Sequence, residues 1–234
     1  MITFDNVTVR VHGDEKVIVH PLSLTLSEQR VSLIGANGSG KSTIARLING
    51  LVMPTSGTVT LTTNEGTFET VADGRAVRSR VGFMFTDPRA QIVMPTVAED
   101  IALSLKRVIP RKAERAAAVS RVLDDYGLSG REEQSVHTLS GGQQQLLALA
   151  SVLASGPKVL VADEPTTLLD LRNSRLIGNR LMNLDQQVIV ATHELELAAR
   201  CERTLVIDSG RVAFDGAPAE AIDFYRASID EAES

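Results

Sequence analysis

The sequence predicts an α/β fold with a mostly parallel sheet, an N-terminal antiparallel β layer and a helical subdomain. Three observations carry that expectation. Val159-Leu160-Val161-Ala162, Val188-Ile189-Val190-Ala191 and residues 204–207 are short apolar runs separated by helix-like segments, and strands joined through helices pair in parallel. Residues 2–34 alternate or run apolar with many β-branched side chains, as strands do. The third is a glycine-rich loop, Gly35-Ala36-Asn37-Gly38-Ser39-Gly40-Lys41-Ser42, placed between the apolar run Arg30-Val31-Ser32-Leu33-Ile34 and a helix-like segment over 43–49.

The elements follow in order. Strand candidates in the N-terminal layer centre on Val7, Val9 and Val11, on Val17-Ile18-Val19, on Leu22, Leu24 and Leu26, and on residues 31–34. After the first helix, Pro54-Thr55-Ser56-Gly57 marks a turn and residues 58–62 a short strand; the polar stretch 64–74 reads as a surface hairpin. Val81-Gly82-Phe83-Met84-Phe85 has the pattern of a buried strand. From 97 to 154 the periodicity turns helical, with helices over 97–106, over 113–126 where Gly127 stops it, and from Ser140 onward. This insertion is the candidate subdomain. The final third predicts helices near 169–183 and 194–200, and Asp208-Ser209-Gly210 and Asp215-Gly216 frame 211–214 as a closing hairpin strand. The acidic end, 229–234, is expected to fray.

Composition narrows the functional classes. With 234 residues, 43% of them hydrophobic, the chain can bury one sizeable core. No apolar run reaches the ~18 residues that cross a bilayer, and Met1-Ile2-Thr3-Phe4-Asp5 has neither a basic region nor an apolar signal segment, so a soluble chain that stays in the cytoplasm is expected. Cys201 is the sole cysteine, which excludes an intramolecular disulfide and thiolate zinc clusters; it is expected to be a small buried residue on a helix. A formal charge of −5 gives no general pull toward nucleic acid or anionic lipid. Arg75, Arg78 and Arg80 form the densest basic cluster and are expected on a solvated loop.

The glycine-rich loop has the layout of a phosphate-binding loop, the mark of a P-loop nucleotide hydrolase core. Its glycines let backbone N–H groups converge on phosphate oxygens, Lys41 brings a point charge, and the Ser42 hydroxyl is placed to ligate Mg²⁺. The helix entered through Thr43 points the positive end of its dipole at the same anion. ATP or GTP is the expected ligand. Val159-Leu160-Val161-Ala162-Asp163-Glu164 is a buried-strand run ending in two carboxylates, at the edge where open α/β sheets bind ligands. One carboxylate there can hold Mg²⁺ and the next can polarise an attacking water. By itself such a pair reads as a helix N-cap; the phosphate loop turns the reading toward catalysis.

Leu139-Ser140-Gly141-Gly142-Gln143 opens a helix and forms a second anion site, made of a hydroxyl and bare backbone N–H groups at a helix N-terminus. With this pentapeptide the chain resembles the ATP-binding subunits of ATP-binding cassette (ABC) transporters, from Ile2 to about Ala217, with motifs in the family's order. The resemblance implies a single ABC ATPase domain over 1–234, a RecA-like core around the helical subdomain at about 97–154. It implies a head-to-tail dimer, expected to be a homodimer, in which Ser140, Gly141, Gly142 and Gln143 close over ATP held by the phosphate loop of a second copy. Thr167-Leu168-Leu169-Asp170 matches the loop that crosses this interface, and His193 the histidine that senses the γ-phosphate. By the same resemblance Glu164 is the general base, and Asp163 with Ser42 forms the Mg²⁺ side.

The chain departs from the family in three places. Val11 and His12, the candidate residues on the adenine side, stand where an aromatic residue usually stacks on the base, so the loop's grip on phosphate is expected to matter more than any grip on adenine. In Phe85-Thr86-Asp87-Pro88-Arg89-Ala90-Gln91 the family's glutamine is missing after the aromatic; Thr86 offers the metal a shorter hydroxyl, and Gln91 is the alternative substitute. Leu146 occupies a position commonly held by arginine. The segment 87–102 looks like the corresponding region of energy-coupling factor importers, in which a membrane protein inserts helices into a groove; Ile92, Val93 and Met94 would line it. The short chain, the departure at 85–88 and the missing C-terminal extension look most like the biotin-uptake ATPase of that group. The implied partners are a second ATPase subunit, an integral membrane coupling subunit and a substrate-binding membrane subunit, met at the cytoplasmic face of the cell membrane; no nucleic acid is expected. Two alternatives stay open: a cobalt/nickel-uptake ATPase of the same group, and a soluble cassette ATPase acting on nucleic acid or ribosomes.

Overall fold

Two sheets share one hydrophobic core, and the burial of each strand shows which sheet it joins. The computed structural model describes residues 1–11, 13 and 16–232. β1 (Ile2–Arg10) and β2 (Val17–Leu26) pair antiparallel, with Ile2 opposite Leu26 and Phe4 opposite Leu24. Their alternating burial suits a sheet with one face on the core. Every residue of β3 (Arg30–Ile34) is buried, as in a strand covered on both faces, and it runs through the glycine-rich loop into α1 (Lys41–Ile48). β4 (Ser56–Thr63) and β5 (Gly66–Glu69) complete the antiparallel sheet in the order β2-β1-β4-β5.

The rest of the chain builds the second sheet and its helices. In order come α2 (Gly74–Arg78), β6 (Val81–Met84), α3 (Val97–Leu105), α4 (Lys112–Asp125), α5 (Gly141–Ala154), β7 (Val159–Asp163), α6 (Leu171–Met182) and β8 (Gln187–Ala191). They are followed by α7 (Leu195–Ala198), β9 (Arg203–Asp208), β10 (Arg211–Gly216) and α8 (Pro218–Ala232). The strand order is β10-β9-β3-β8-β7-β6, parallel throughout except for the closing β9–β10 pair. The expected mostly parallel sheet and antiparallel layer are both present.

Helix α5 joins two cores because its apolar residues cover more than one face. Leu146 and Leu149 pack on the parallel sheet with Leu160, Val188 and Leu181. Leu147 and Ala150 turn instead toward Val97, Ile101 and Leu123 of α3 and α4. A fully buried leucine contributes about 1.5–3 kcal/mol, so α5 ties the helices firmly to the sheet.

Three local expectations change. The polar stretch 64–74 does turn between β4 and β5, but Arg75 and Arg78 lie on α2, which fully buried Val77 anchors, rather than on a loop. Arg80 pairs with Glu65 and covers the Phe68 ring at 4.1 Å. Cys201 is buried but follows α7 in a bend, because α7 ends at Ala198. The expected irregular end, 229–234, is helical in α8 as far as Ala232, and 233–234 lie outside the described residues. Pro218 suits the first position of a helix, and Ala221, Ile222 and Tyr225, about one turn apart, pack toward Ile34 and Val206.

Candidate nucleotide site

The phosphate loop leaves β3 through a contact that only glycine permits. Gly35 has φ 146°, and a Cβ there would fall 2.1 Å from the Ile207 carbonyl oxygen of neighbouring β9. Lys41 Nζ donates to the carbonyls of Gly35 at 2.7 Å and Ala36 at 2.9 Å, folding the ammonium into its own loop. Burial pushes the Lys41 pKa down, while Glu164 and Asp163 pull it up. The Ser39 hydroxyl is buried with no hydrogen-bond partner. An orphan donor among converging backbone amides is a place where an anion fits. Asn37, Gly38 and Gly40 complete the loop, and Thr43 sits half-buried in the first turn of α1.

Asp163 ends β7 with 1% of its surface exposed. Its Oδ1 accepts from Ser42 Oγ at 2.7 Å and its Oδ2 from Arg46 Nη2 at 3.0 Å. Mg²⁺ takes hard oxygen ligands, typically one or two carboxylates completed by substrate phosphates. The Ser42 hydroxyl and Asp163 carboxylate, side by side beyond the phosphate loop, fit that ion. Thr86 Oγ1 donates to the Asp163 carbonyl at 2.9 Å, so it reaches the site as a brace on the strand end. Gln91 is engaged by backbone groups. Its Oε1 accepts from the Phe85 N–H at 2.9 Å and its Nε2 donates to the Ala148 carbonyl at 3.2 Å, which commits both ends of the amide to linking β6 with α5.

Glu164 stands next in the chain with φ 51°, left-handed for a non-glycine residue, and its N–H donates to the Ala191 carbonyl at 2.8 Å. Such a conformation costs about 1–3 kcal/mol and persists where surrounding structure imposes it. Its Oε2 accepts from Thr167 Oγ1 at 2.9 Å and lies 2.8 Å from His193 Nδ1, a hydrogen bond when that nitrogen carries the proton. His193 is half-exposed at the end of β8, so parallel neighbours β7 and β8 deliver acid and imidazole to one edge.

The second anion motif caps α5. Ser140 Oγ accepts from the Gln143 N–H at 3.4 Å and the Gln143 side chain accepts from the Ser140 N–H at 2.9 Å, a reciprocal capping box. Its two glycines differ. A Cβ at Gly142 would lie 2.5 Å from the Asn173 side chain of α6, so a larger residue there must displace that amide, whereas a Cβ at Gly141 would meet nothing within 4 Å. Asp170 caps α6 by accepting from the Asn173 N–H and Nδ2, each at 2.9 Å. The backbone bond holds its carboxyl below the usual carboxylate range. Among the described residues no hydrogen bond ties 140–143 to the phosphate loop.

The adenine-side candidates are less defined. Val11 is exposed just past β1, its N–H on the Lys16 carbonyl at 3.0 Å, and His12 lies outside the described residues. Sequence reasoning missed Arg46, although its four-residue spacing from Ser42 on α1 was a usable signal. It also missed Asp100, a buried carboxylate that accepts from the N–H groups of Val93 and Met94 and from Ser151 Oγ. Asp100 thereby holds the 93–94 segment against α5. Val93 is 74% exposed there, while Ile92 and Met94 are half-buried.

Comparison with known proteins places this geometry in a wider group. Residues 19–167 match the family model described as ABC transporter. The chain is 46% identical over 215 residues to a putative ABC transporter ATP-binding protein of Deinococcus radiodurans, covering 92% of this chain and 93% of the relative. It is 46% identical over 211 residues to the biotin transport ATP-binding protein BioM of Rhizobium etli, covering 90% and 92%. With the energy-coupling factor transporter ATP-binding protein EcfA1 of Leuconostoc mesenteroides it shares 36% over 233 residues, covering 97% and 84%. Among solved structures, cbiO1 of Clostridium perfringens, described as part of the ABC transporter complex cbiONQ, superposes with TM-score 0.81 at 27% identity over 95% of this chain and 90% of that one. The ATP-binding cassette MJ0796, a dimer in a post-hydrolysis state with ADP and Pi, gives 0.80 at 28% over 93% and 99%.

Proposed function

Because the chain belongs to the ABC transporter family, as an ATP-binding subunit whose ATP hydrolysis is coupled to transport, we propose that it powers an energy-coupling factor importer that takes up biotin. The observation that carries the chemistry is the convergence of Lys41, Ser42, Asp163, Glu164 and His193 at one sheet edge. Lys41 and the loop amides hold the terminal phosphates of ATP. Ser42 and Asp163 would hold Mg²⁺, whose charge would offset that of the phosphate oxygens. Glu164 Oε2 is occupied by Thr167 and His193, which leaves Oε1 to take the proton of the attacking water. His193 orients that carboxylate and, through its other nitrogen, the γ-phosphate side.

The capping box satisfies the Ser140 and Gln143 N–H groups and leaves those of Gly141 and Gly142 at the open end of α5, where no described atom lies within 4 Å of a Cβ placed at Gly141. We read this face as the half-site that closes over ATP in a second copy, with Asp170 on the same interface; a dimeric relative with ADP and Pi supports that reading. The helices at about 97–154 serve as the subdomain that carries this face. Exposed Val93, with Ile92 and Met94 beside it, is the docking point for a membrane coupling subunit that works with a substrate-binding membrane subunit. No described helix is long and apolar enough to cross a membrane, and the proposed placement is peripheral, at the cytoplasmic face. Biotin rests on the likeness to BioM.

Affinity purification of the chain with its membrane partners, reconstitution into vesicles and ATP-dependent uptake of labelled biotin test the whole reading. Uptake of Co²⁺ or Ni²⁺ instead would replace the vitamin. Co-purification with ribosomes or DNA in place of membrane proteins would overturn transport.

A further inference from the structure

We propose that Arg46 is a positioning residue for the metal–nucleotide site, holding the Asp163 carboxylate from behind so that the oxygen beside Ser42 faces Mg²⁺. The inference rests on the proposed assignment of Ser42 and Asp163 to the metal. Both contacts come from one helix: Ser42 and Arg46 are four residues apart on α1 and share a face. They divide the carboxylate, Ser42 Oγ on Oδ1 at 2.7 Å and Arg46 Nη2 on Oδ2 at 3.0 Å.

The division matters because a carboxylate turns easily about its last torsion. A single hydrogen bond from Ser42 leaves Asp163 free to pivot; a second, on the opposite oxygen, removes that freedom. Asp163 is 1% exposed, so little water is available to satisfy its second oxygen if the guanidinium leaves. Arg46 forms no ion pair with any other described carboxylate, and its Nε is buried without a hydrogen-bond partner. The side chain is 41% exposed, so its charge is screened and the fixed geometry is what it adds. A placeholder that metal must expel would cover the oxygen beside Ser42; Arg46 covers the other one.

The test measures metal affinity directly. Mn²⁺ binding to the full chain in the presence of ATP, followed by electron paramagnetic resonance, is compared for wild type, Arg46→Met and Arg46→Lys, with ATP binding in EDTA measured in parallel by a fluorescent analogue. Groups that orient a metal ligand typically contribute about 10–100-fold to affinity. We expect Arg46→Met to weaken Mn²⁺ by that factor, Arg46→Lys to recover part of it, and ATP binding in EDTA to stay unchanged. Unchanged Mn²⁺ affinity overturns the positioning role, and tighter Mn²⁺ overturns it in favour of a placeholder. If Arg46→Met does not fold, Arg46→Gln with the lysine variant decides the same question. Asp163→Asn separates the two assignments, since Mn²⁺ affinity unmoved by that change removes the metal reading itself.

Discussion

Glu164→Gln should leave a folded chain that binds Mg·ATP and hardly turns it over. The substitution keeps the side chain's length, and its amide oxygen still accepts from Thr167 Oγ1, now 2.9 Å from Glu164 Oε2. What disappears is the free carboxylate oxygen and with it the proton acceptor. General-base catalysis contributes about 10²–10⁴-fold, or about 3–5 kcal/mol of barrier at 1.36 kcal/mol per tenfold. Because binding groups on the phosphate loop are untouched, the loss should fall on kcat with little change in KM. Steady-state phosphate release gives the rate, and size-exclusion chromatography with Mg·ATP shows whether uncleaved nucleotide traps a closed dimer. A variant that hydrolyses ATP within a few-fold of wild type would refute the assignment, as would a rate loss carried by KM alone.

Three further outcomes follow from the same geometry. Glu164→Gly and Glu164→Ala both lose the carboxylate, but only glycine accepts φ 51° without strain; the glycine variant should be more stable by about 1 kcal/mol in urea denaturation, and equal stabilities would show that no strain is stored there. Gly142→Ala places a Cβ 2.5 Å from the Asn173 side chain, which must turn away and give up its bond to Asp170, and should lower the melting temperature through about 1 kcal/mol, whereas Gly141→Ala should melt like wild type and weaken ATP-dependent dimerisation. Val93→Asp should reduce co-purification of the membrane subunits while nucleotide binding persists, since Val93 is 74% exposed and distant in role from the phosphate loop. Co-purification at the wild-type level would remove Val93 from the docking surface.

The parts of the site legible in the sequence are those written in short contiguous segments. A strand, a glycine-rich turn and a helix N-terminus bring Gly35 to Thr43 together locally, and the carboxyl end of β7 displays Asp163 and Glu164 whatever packs around it. The Ser140–Gln143 capping box is likewise a three-residue spacing. The engagement of Gln91, the alternative to Thr86, was not legible, because its amide bonds the Phe85 N–H and the Ala148 carbonyl, and Ala148 is distant in the chain. Helix α8 escaped because its apolar positions are sparse and have meaning only against β9 and β10.

By itself the sequence determined the α/β class, the phosphate loop, the acidic strand end and the capped second motif, because periodicity and local hydrogen bonding act over a few residues. Only the tertiary structure decided which distant groups share atoms: Arg46 on Asp163, His193 on Glu164, Asp100 on Val93, and Asn173 against Gly142. Those contacts depend on the register of parallel strands and on the close approach of helices. Both are set by the packing of whole cores, which no short segment encodes.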